Sequence, residues 1–208
     1  MTLLFQLSHE LKTRNSPNLV IHKALDEKRL VIDPEPMPRV KGLRDEYCPY
    51  DSHAVDLKLG NEIKIPDLEA ATIDFTAPGK IANLIAKNSK QHILEQDRPY
   101  TLHPGKFILA QTSETIGLPI VEGAITLAAR IEGKSSRARC GLLIHFTAPT
   151  VHPGWSGPLT LEIINLGQAK LNLHSGMPIA QLIVEQVYGE IASNPSQFQN
   201  QITPEGKA

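Results

Sequence analysis

Cysteine is scarce: Cys48 and Cys140 are the two in 208 residues, too far apart for a zinc spacing or a disulfide framework. Both are expected to be buried free thiols. Charge of one sign is not in excess, with 21 Lys and Arg against 22 Asp and Glu and a formal net charge of -1. Such a chain lacks the broad basic field with which nucleic-acid binders collect phosphates, so any anion site must be local. Long apolar runs are missing too. The opening Met1–Leu7 stretch is apolar but too short for a membrane span, and it has neither a basic start nor a small-residue cleavage site. A cytoplasmic protein with no membrane and no nucleic-acid partner is expected. The zinc-deaminase signature, His-x-Glu followed by Pro-Cys-x-x-Cys, is absent, which excludes a zinc-activated water of that type. There is no Walker loop and no Rossmann glycine fingerprint. His22, His53, His103, His145 and His174 fall into no metal-ligand spacing.

What is present is enough apolar sequence, 41% of residues, for one good core. A single domain over 1–208 is expected, in three stretches. Residues 1–60 read as partly helical: Leu19, Ile21, Ala24 and Leu25 mark a short amphipathic stretch that stops before the proline-rich Asp33–Pro38. Over 61–190 glycines such as Gly105, Gly117, Gly133, Gly141, Gly154, Gly167 and Gly176 cut the chain into short apolar runs at strand-and-turn spacing. No long helical period occurs between Pro99 and Gly189, which argues against alternating βαβ units and for an antiparallel or mixed β core. Residues 191–208 are polar and are expected to form a mobile tail.

Three segments could carry chemistry. In Gly133-Lys134-Ser135-Ser136-Arg137-Ala138-Arg139, cations and hydroxyls follow a glycine. That mixture suits a phosphate chain, because charged donors neutralise the oxygens while hydroxyls and backbone N–H groups give direction; on composition alone, a short basic stretch beside a glycine is more often an ordinary solvated turn. The loop Thr147–Gly157 holds His152, two prolines, two glycines and the only tryptophan, Trp155. It reads either as a shaped wall or as a stiff connection with Trp155 in the core. The run Leu159-Thr160-Leu161-Glu162-Ile163-Ile164-Asn165 alternates as a strand, placing Leu159, Leu161 and Ile163 on one face and Thr160, Glu162 and Ile164 on the other. A carboxylate sharing a face with isoleucine is either an incidental surface charge or a desolvated proton carrier.

Taken in order, Gly133–Leu142, Thr147-Ala148, Pro153-Gly154-Trp155-Ser156-Gly157 and Leu161-Glu162-Ile163 resemble dCTP deaminases of the dUTPase-like superfamily. Ala54–Gly60 is similar to the family's early strand, and Ser175–Ile183 to its closing strand. The resemblance implies an all-β fold with a small helical N-terminal part, a distorted β-barrel of the dUTPase-like type, and a homotrimer with active sites between subunits. It implies hydrolysis of dCTP to dUTP and ammonia, supplying the dUTP/dUMP route to thymidylate. Magnesium would come bound to the triphosphate, without zinc. The implied catalytic residues are Glu162 as acid/base, with Ser135, Arg139 and Ala148. The implied substrate contacts are Lys134, Ser136, Arg137, Ala138, Thr147, His152, Trp155, Thr160, Leu161, Gln197 and Gln201.

Departures from the pattern define the alternatives. His152 stands where these deaminases usually carry an Asp that contacts the sugar, and where related dUTPases use an Asp to activate water. That weighs against a pyrophosphatase and against a bifunctional, dUMP-forming deaminase. Gln197-Phe198-Gln199-Asn200-Gln201 resembles a Lys-Tyr-x-x-Gln segment that folds over the triphosphate, with Gln197 in place of the lysine. A non-catalytic nucleotide-binding regulator is the remaining alternative.

Overall fold

The computed structural model describes residues 19–42, 46–69, 72–74, 81–189, 196 and 198–206. Its first element, helix α1 (Leu19–Asp26), buries Ile21 and Ala24 in the core. It ends where Lys28 takes a positive φ of 54° and the N–H groups of Arg29 and Leu30 turn back to the Ala24 carbonyl. The expected amphipathic stretch is therefore a helix, spaced so that its i, i+3 apolar positions meet the sheet.

Eleven strands follow or interleave with two further short helices: β1 (Val31–Asp33), β2 (Ala54–Pro66), α2 (Ile81–Lys87), β3 (Ser89–Ile93), β4 (Tyr100–Leu102), β5 (Phe107–Gly117), β6 (Thr126–Gly133), α3 (Ser135–Ala138), β7 (Leu142–Leu143), β8 (Thr150–Val151), β9 (Ser156–Asn165), β10 (Leu171–Leu173) and β11 (Pro178–Val187). A nine-stranded sheet runs in the order β7-β9-β5-β2-β11-β6-β8, with β1 added to β5 and β3 to β2, while β4 and β10 pair separately. Every ladder is antiparallel. The expected β core is thus present, but β2 starts inside the stretch read as N-terminal preface, and α2 lies within the stretch read as barrel.

Curling comes from irregular register. Shifts occur between Leu59 and Ile63 on β2, between Gln111 and Thr115 on β5, and between Pro178 and Ala180 on β11. Each such bulge bends its strand and adds twist, so the sheet wraps as a distorted half-barrel about its own apolar face. Leu57, Leu59, Ile63, Ile108, Ile116, Leu161, Ile163 and Leu182 are fully enclosed there, in one contiguous cluster that also takes in Ile21 and Ala24. Among the described residues no helix is long and apolar enough to cross a membrane.

Two expectations need correction. Cys140 is exposed and Cys48 is partly exposed, both free; Cys140 lies in the turn after α3, its Sγ 3.8 Å from the Ser136 carbonyl oxygen. Residues 198–206, read as an unpacked tail, are seated against β9 and its preceding loop, with the Asn200 N–H bonded to the Ser156 carbonyl at 2.9 Å. Several of its anchors are hydrogen bonds from amide side chains and backbone groups, which its polar composition did not distinguish from a solvated tail.

Candidate active site

Strand β9 realises the alternation seen in the sequence: Leu159, Leu161 and Ile163 are buried while Thr160, Glu162 and Ile164 are partly open. Register fixes where Glu162 points. It stands opposite Leu109 on β5, and Leu109 stands opposite Lys64 on β2, so one row crosses three strands. Glu162 Oε2 accepts the Phe146 N–H at 3.2 Å, tying the carboxylate to the loop that leads into Ala148. The Phe146 ring packs on Phe107 with centroids 5.6 Å apart.

Glu162 faces a cavity of about 500 Å³. Its wall is mainly apolar, with Phe107, Leu109, Ile131, Val151, Trp155 and Leu159 contributing, and α2 supplies Ile81 and Ile85 from the other side. The polar groups in it are few: Glu162, Thr160, Thr150, His152, Gln201, Ser196 and Glu205. A pocket that is mostly apolar with a few convergent polar groups suits a flat heteroaromatic ring that must be read at its edge. Neither Lys nor Arg lines it, so this wall by itself offers a polyphosphate nothing to neutralise its charge.

Residues 198–206 close one side. Gln201 is 4% exposed, and its Nε2 donates to the Pro158 carbonyl at 2.8 Å and to Thr160 Oγ1 at 3.0 Å. Thr160 Oγ1 in turn donates to the Pro204 carbonyl at 3.2 Å, and Gln199 Nε2 to the Gly154 carbonyl at 2.8 Å. Glu205 comes within 3.9 Å of Lys64. On the loop before β9, the Leu118 N–H meets the Trp155 carbonyl at 2.9 Å and the Gly154 N–H meets the Leu118 carbonyl at 2.6 Å. Trp155 packs against the core and also lines the cavity, so the two readings of that loop are both realised.

The basic turn lies elsewhere. Backbone bonds from Arg137 and Ala138 to the Lys134 carbonyl, and from Arg139 to the Ser135 carbonyl, wind α3 tightly. Gly141 ends it at φ +88°, and a Cβ there would lie 2.2 Å from the Gly167 nitrogen. Only glycine permits that approach. The facing loop is fixed by buried Asn165, whose Oδ1 accepts the Gly167 N–H at 2.9 Å and whose Nδ2 donates to the Leu102 and Ala169 carbonyls at 3.1 and 2.7 Å. Ser135, Ser136, Ala138 and Arg139 are exposed on this scaffold, and Arg137 is partly so. Lys134 is drawn inward to an ion pair with Asp56.

The structure therefore brings Ala148, His152, Trp155, Thr160, Glu162 and Gln201 together in one cavity. Lys134, Ser135, Ser136, Arg137, Ala138, Arg139 and Thr147 do not line it. Leu161 points its side chain into the core at 0% exposure and can meet a ligand only through its backbone. Gln197 lies outside the described residues. Sequence reasoning did not anticipate Asp56, Lys64, Glu205 or α2; the i, i+4 pair Ile81 and Ile85 was the available signal for the helix.

With this geometry in place, likeness to known proteins is informative. A family model described as dCTP deaminase-like matches residues 17–187. The chain is 35% identical over 165 residues to a protein of Methanosphaera stadtmanae named "dCTP deaminase, dUMP-forming", covering 79% of this chain and 75% of that one. It is 34% identical over 172 residues to a protein of Marinomonas sp. (strain MWYL1) named dCTP deaminase, covering 81% of each. Among solved structures, that of 2'-deoxycytidine 5'-triphosphate deaminase from Agrobacterium tumefaciens matches with a TM-score of 0.54 at 18% identity, a likeness of fold. It covers 79% of this chain and 45% of that longer chain.

Proposed function

The chain belongs to the dCTP deaminase-like family, and from that premise we propose that it hydrolyses the 4-amino group of dCTP to give dUTP and ammonia. The observation that carries this reading is the position of Glu162, a carboxylate anchored by the Phe146 N–H on the wall of a largely apolar cavity. Water placed between Glu162 and the cytosine ring is the nucleophile. Glu162 takes one of its protons as the oxygen bonds to C4, and passes that proton to N3 as the ring loses its C4–N3 double bond. The tetrahedral carbon then carries a hydroxyl and an amino group. Glu162 accepts the hydroxyl proton and delivers it to the amine, the C4–N bond breaks, and ammonia leaves as the C4 carbonyl forms. Atoms balance as cytosine plus water to uracil plus ammonia, and the carboxylate is regenerated. No zinc is invoked.

The cavity supplies the base pocket, with Ala148 and Trp155 as walls and Thr160 and Gln201 as its polar edge. Cations for the triphosphate come from the Lys134–Arg139 turn, which lies outside this cavity. A homotrimer in which one copy's turn completes its neighbour's cavity reconciles the two, as the family resemblance implies. Among the described residues no three His, Cys, Asp or Glu side chains converge as a metal site. Magnesium would come bound to the triphosphate and supply charge for its oxygens, while Arg137, Arg139 and the two serines would hold the triphosphate itself.

The relative from Methanosphaera stadtmanae is named as dUMP-forming, so the fate of the triphosphate is the second reading to test. His152 on the cavity wall lacks the carboxylate that would make water a nucleophile toward phosphorus, which favours dUTP as the product. Chromatography of dCTP and magnesium incubated with the wild type and with Glu162→Gln separates the outcomes. We expect dUTP and equimolar ammonia from the wild type, and a rate about a hundred- to ten-thousandfold lower in the variant. dUMP from the wild type would establish the coupled reaction. Absence of ammonia from dCTP, dCMP and deoxycytidine alike, with the protein folded, would overturn the assignment.

A further inference from the structure

A second cavity lies beyond two residues that wall the first. Pro66 and Phe107 line both, and on their other side a recess of about 440 Å³ takes in Asp67, Lys90, Tyr100, His103 and Lys106. Its chemistry is the reverse of the Glu162 cavity. Among the described residues that wall carries no lysine or arginine, whereas this one gathers two ammonium groups, an imidazole and a phenol against a single carboxylate, Asp67. The reaction scheme uses none of them.

The cations come from separate parts of the chain. Lys90 stands on β3 opposite Ile65 of β2, while His103 and Lys106 flank the turn between β4 and β5. That turn is clipped to the end of β9. The Lys106 N–H bonds to the His103 carbonyl at 3.2 Å, the Gly105 N–H to the Asn165 carbonyl at 2.8 Å, and the Asn165 N–H to the Lys106 carbonyl at 3.3 Å. Lys23, Lys64 and Lys134 each pair with a carboxylate, but among the described residues no ion pair engages Lys90 or Lys106. Like charges lining one recess without a counterion repel each other, and an anion between them relieves that repulsion. Burial raises the Tyr100 phenol above the usual tyrosine range, so it stays a hydrogen-bond donor. Donors on several sides, with full charge on two of them, suit a compact oxyanion that has an acceptor oxygen for each and more than one negative charge. A phosphate dianion meets that description better than a carboxylate does.

We propose that Lys90, His103 and Lys106, with Tyr100, form a binding site for a free phosphate-class oxyanion, separated from the nucleotide cavity by Pro66 and Phe107. The test is calorimetric titration of the full-length protein with inorganic phosphate, for the wild type, Lys90→Met, Lys106→Met, His103→Ala, Asp67→Asn and Arg139→Met. Asp67, Lys90, His103 and Lys106 are exposed, so changes there are benign for folding. One phosphate per chain should bind about tenfold more weakly in either lysine variant, the scale of one charge-assisted hydrogen bond, and His103→Ala should weaken it by less. Asp67→Asn removes the opposing charge and should tighten binding, a sign that structural damage would not produce. Arg139→Met, on the basic turn outside both cavities, should leave this phosphate unchanged. In a protein carrying Glu162→Gln, which does not consume nucleotide, saturating dCTP should leave it in place. No binding by the wild type, a phosphate lost with Arg139→Met but kept in both lysine variants, unchanged or weaker binding with Asp67→Asn, or displacement by dCTP would each overturn the proposal. Inorganic phosphate carries no base, so a protein that binds it in this way but releases no ammonia refutes deamination and leaves the anion site standing.

Discussion

The turn from Lys134 to Gly141 is wound by backbone bonds between residues three or four apart, whereas the cavity around Glu162 is walled by side chains from β5, β6, β8, β9, α2 and residues 198–206. The first is local in sequence and rests on buried polar groups, Asp56 and Asn165. The second is assembled from the length of the chain and rests on apolar burial with one anchored acid. Polar supports are directional and fail when a single partner is lost, because the abandoned group stays buried. Apolar walls fail gradually, in proportion to the surface removed. A nucleotide asks for both: fixed donors around its phosphates and a dry slot for its base.

The sharpest way to break this comparison is Gly141→Ala. A methyl group there meets the Gly167 backbone at 2.2 Å and sits at a positive φ of 88°, and neither neighbour is a flexible side chain that could move aside. The expected cost is roughly 3–5 kcal/mol, read as a melting temperature lower by about 10 °C. Where the protein still folds, tripolyphosphate binding should fall more than deoxycytidine binding, because the turn is displaced and the cavity is not. Equal losses would show that turn and cavity form one unit.

A smaller effect is expected on the cavity side from Gln201→Ala. The change removes the bonds to the Pro158 carbonyl and Thr160 Oγ1, worth about 1–2 kcal/mol together. The loss should be confined to the docked segment: hydrogen exchange at residues 198–206 should quicken while the melting temperature of the barrel stays nearly constant. Protection unchanged in that segment would mean that Phe198 and Gly206, which pack on one another, hold it without Gln201.

Legibility in the sequence followed the same division. The alternation of β9 could be read because each residue's face depends only on its neighbours, and it placed Glu162 correctly between Leu161 and Ile163. Helix α1 was readable from Ile21 and Ala24 for the same reason. The basic turn was conspicuous as a contiguous motif, yet its ion pair between Lys134 and Asp56 was not, since that contact exists only once β2, β11 and β6 are in register. The docking of residues 198–206 was hidden for a different reason. Its anchors are amide side chains and backbone groups, which look in sequence like solvated loop. The exposure of Cys140 likewise depends on the turn standing off the barrel, which a residue's preference for burial does not foretell.

The finest test concerns Glu114, which shares the polar foundation of the turn: the charge of its carboxylate and that of Asp56 both act on Tyr47. It is 1% exposed, and its Oε2 accepts the Lys58 N–H at 2.9 Å. Burial raises its pKa above the ordinary 4.5, with the Lys58 N–H opposing in part. A carboxyl whose folded pKa is raised binds its proton more tightly when folded, so its contribution is favourable at pH below 4.5 and is lost as pH climbs through the folded value. Glu114→Gln removes that titration while retaining an oxygen acceptor for Lys58. The difference in melting temperature, variant minus wild type, should therefore increase with pH from the acid side toward neutrality, by less than either change above. A difference that stays flat with pH would mean that the carboxyl titrates alike in folded and unfolded chains, and the turn's foundation would then differ from the cavity wall in hydrogen bonding but not in its sensitivity to protons.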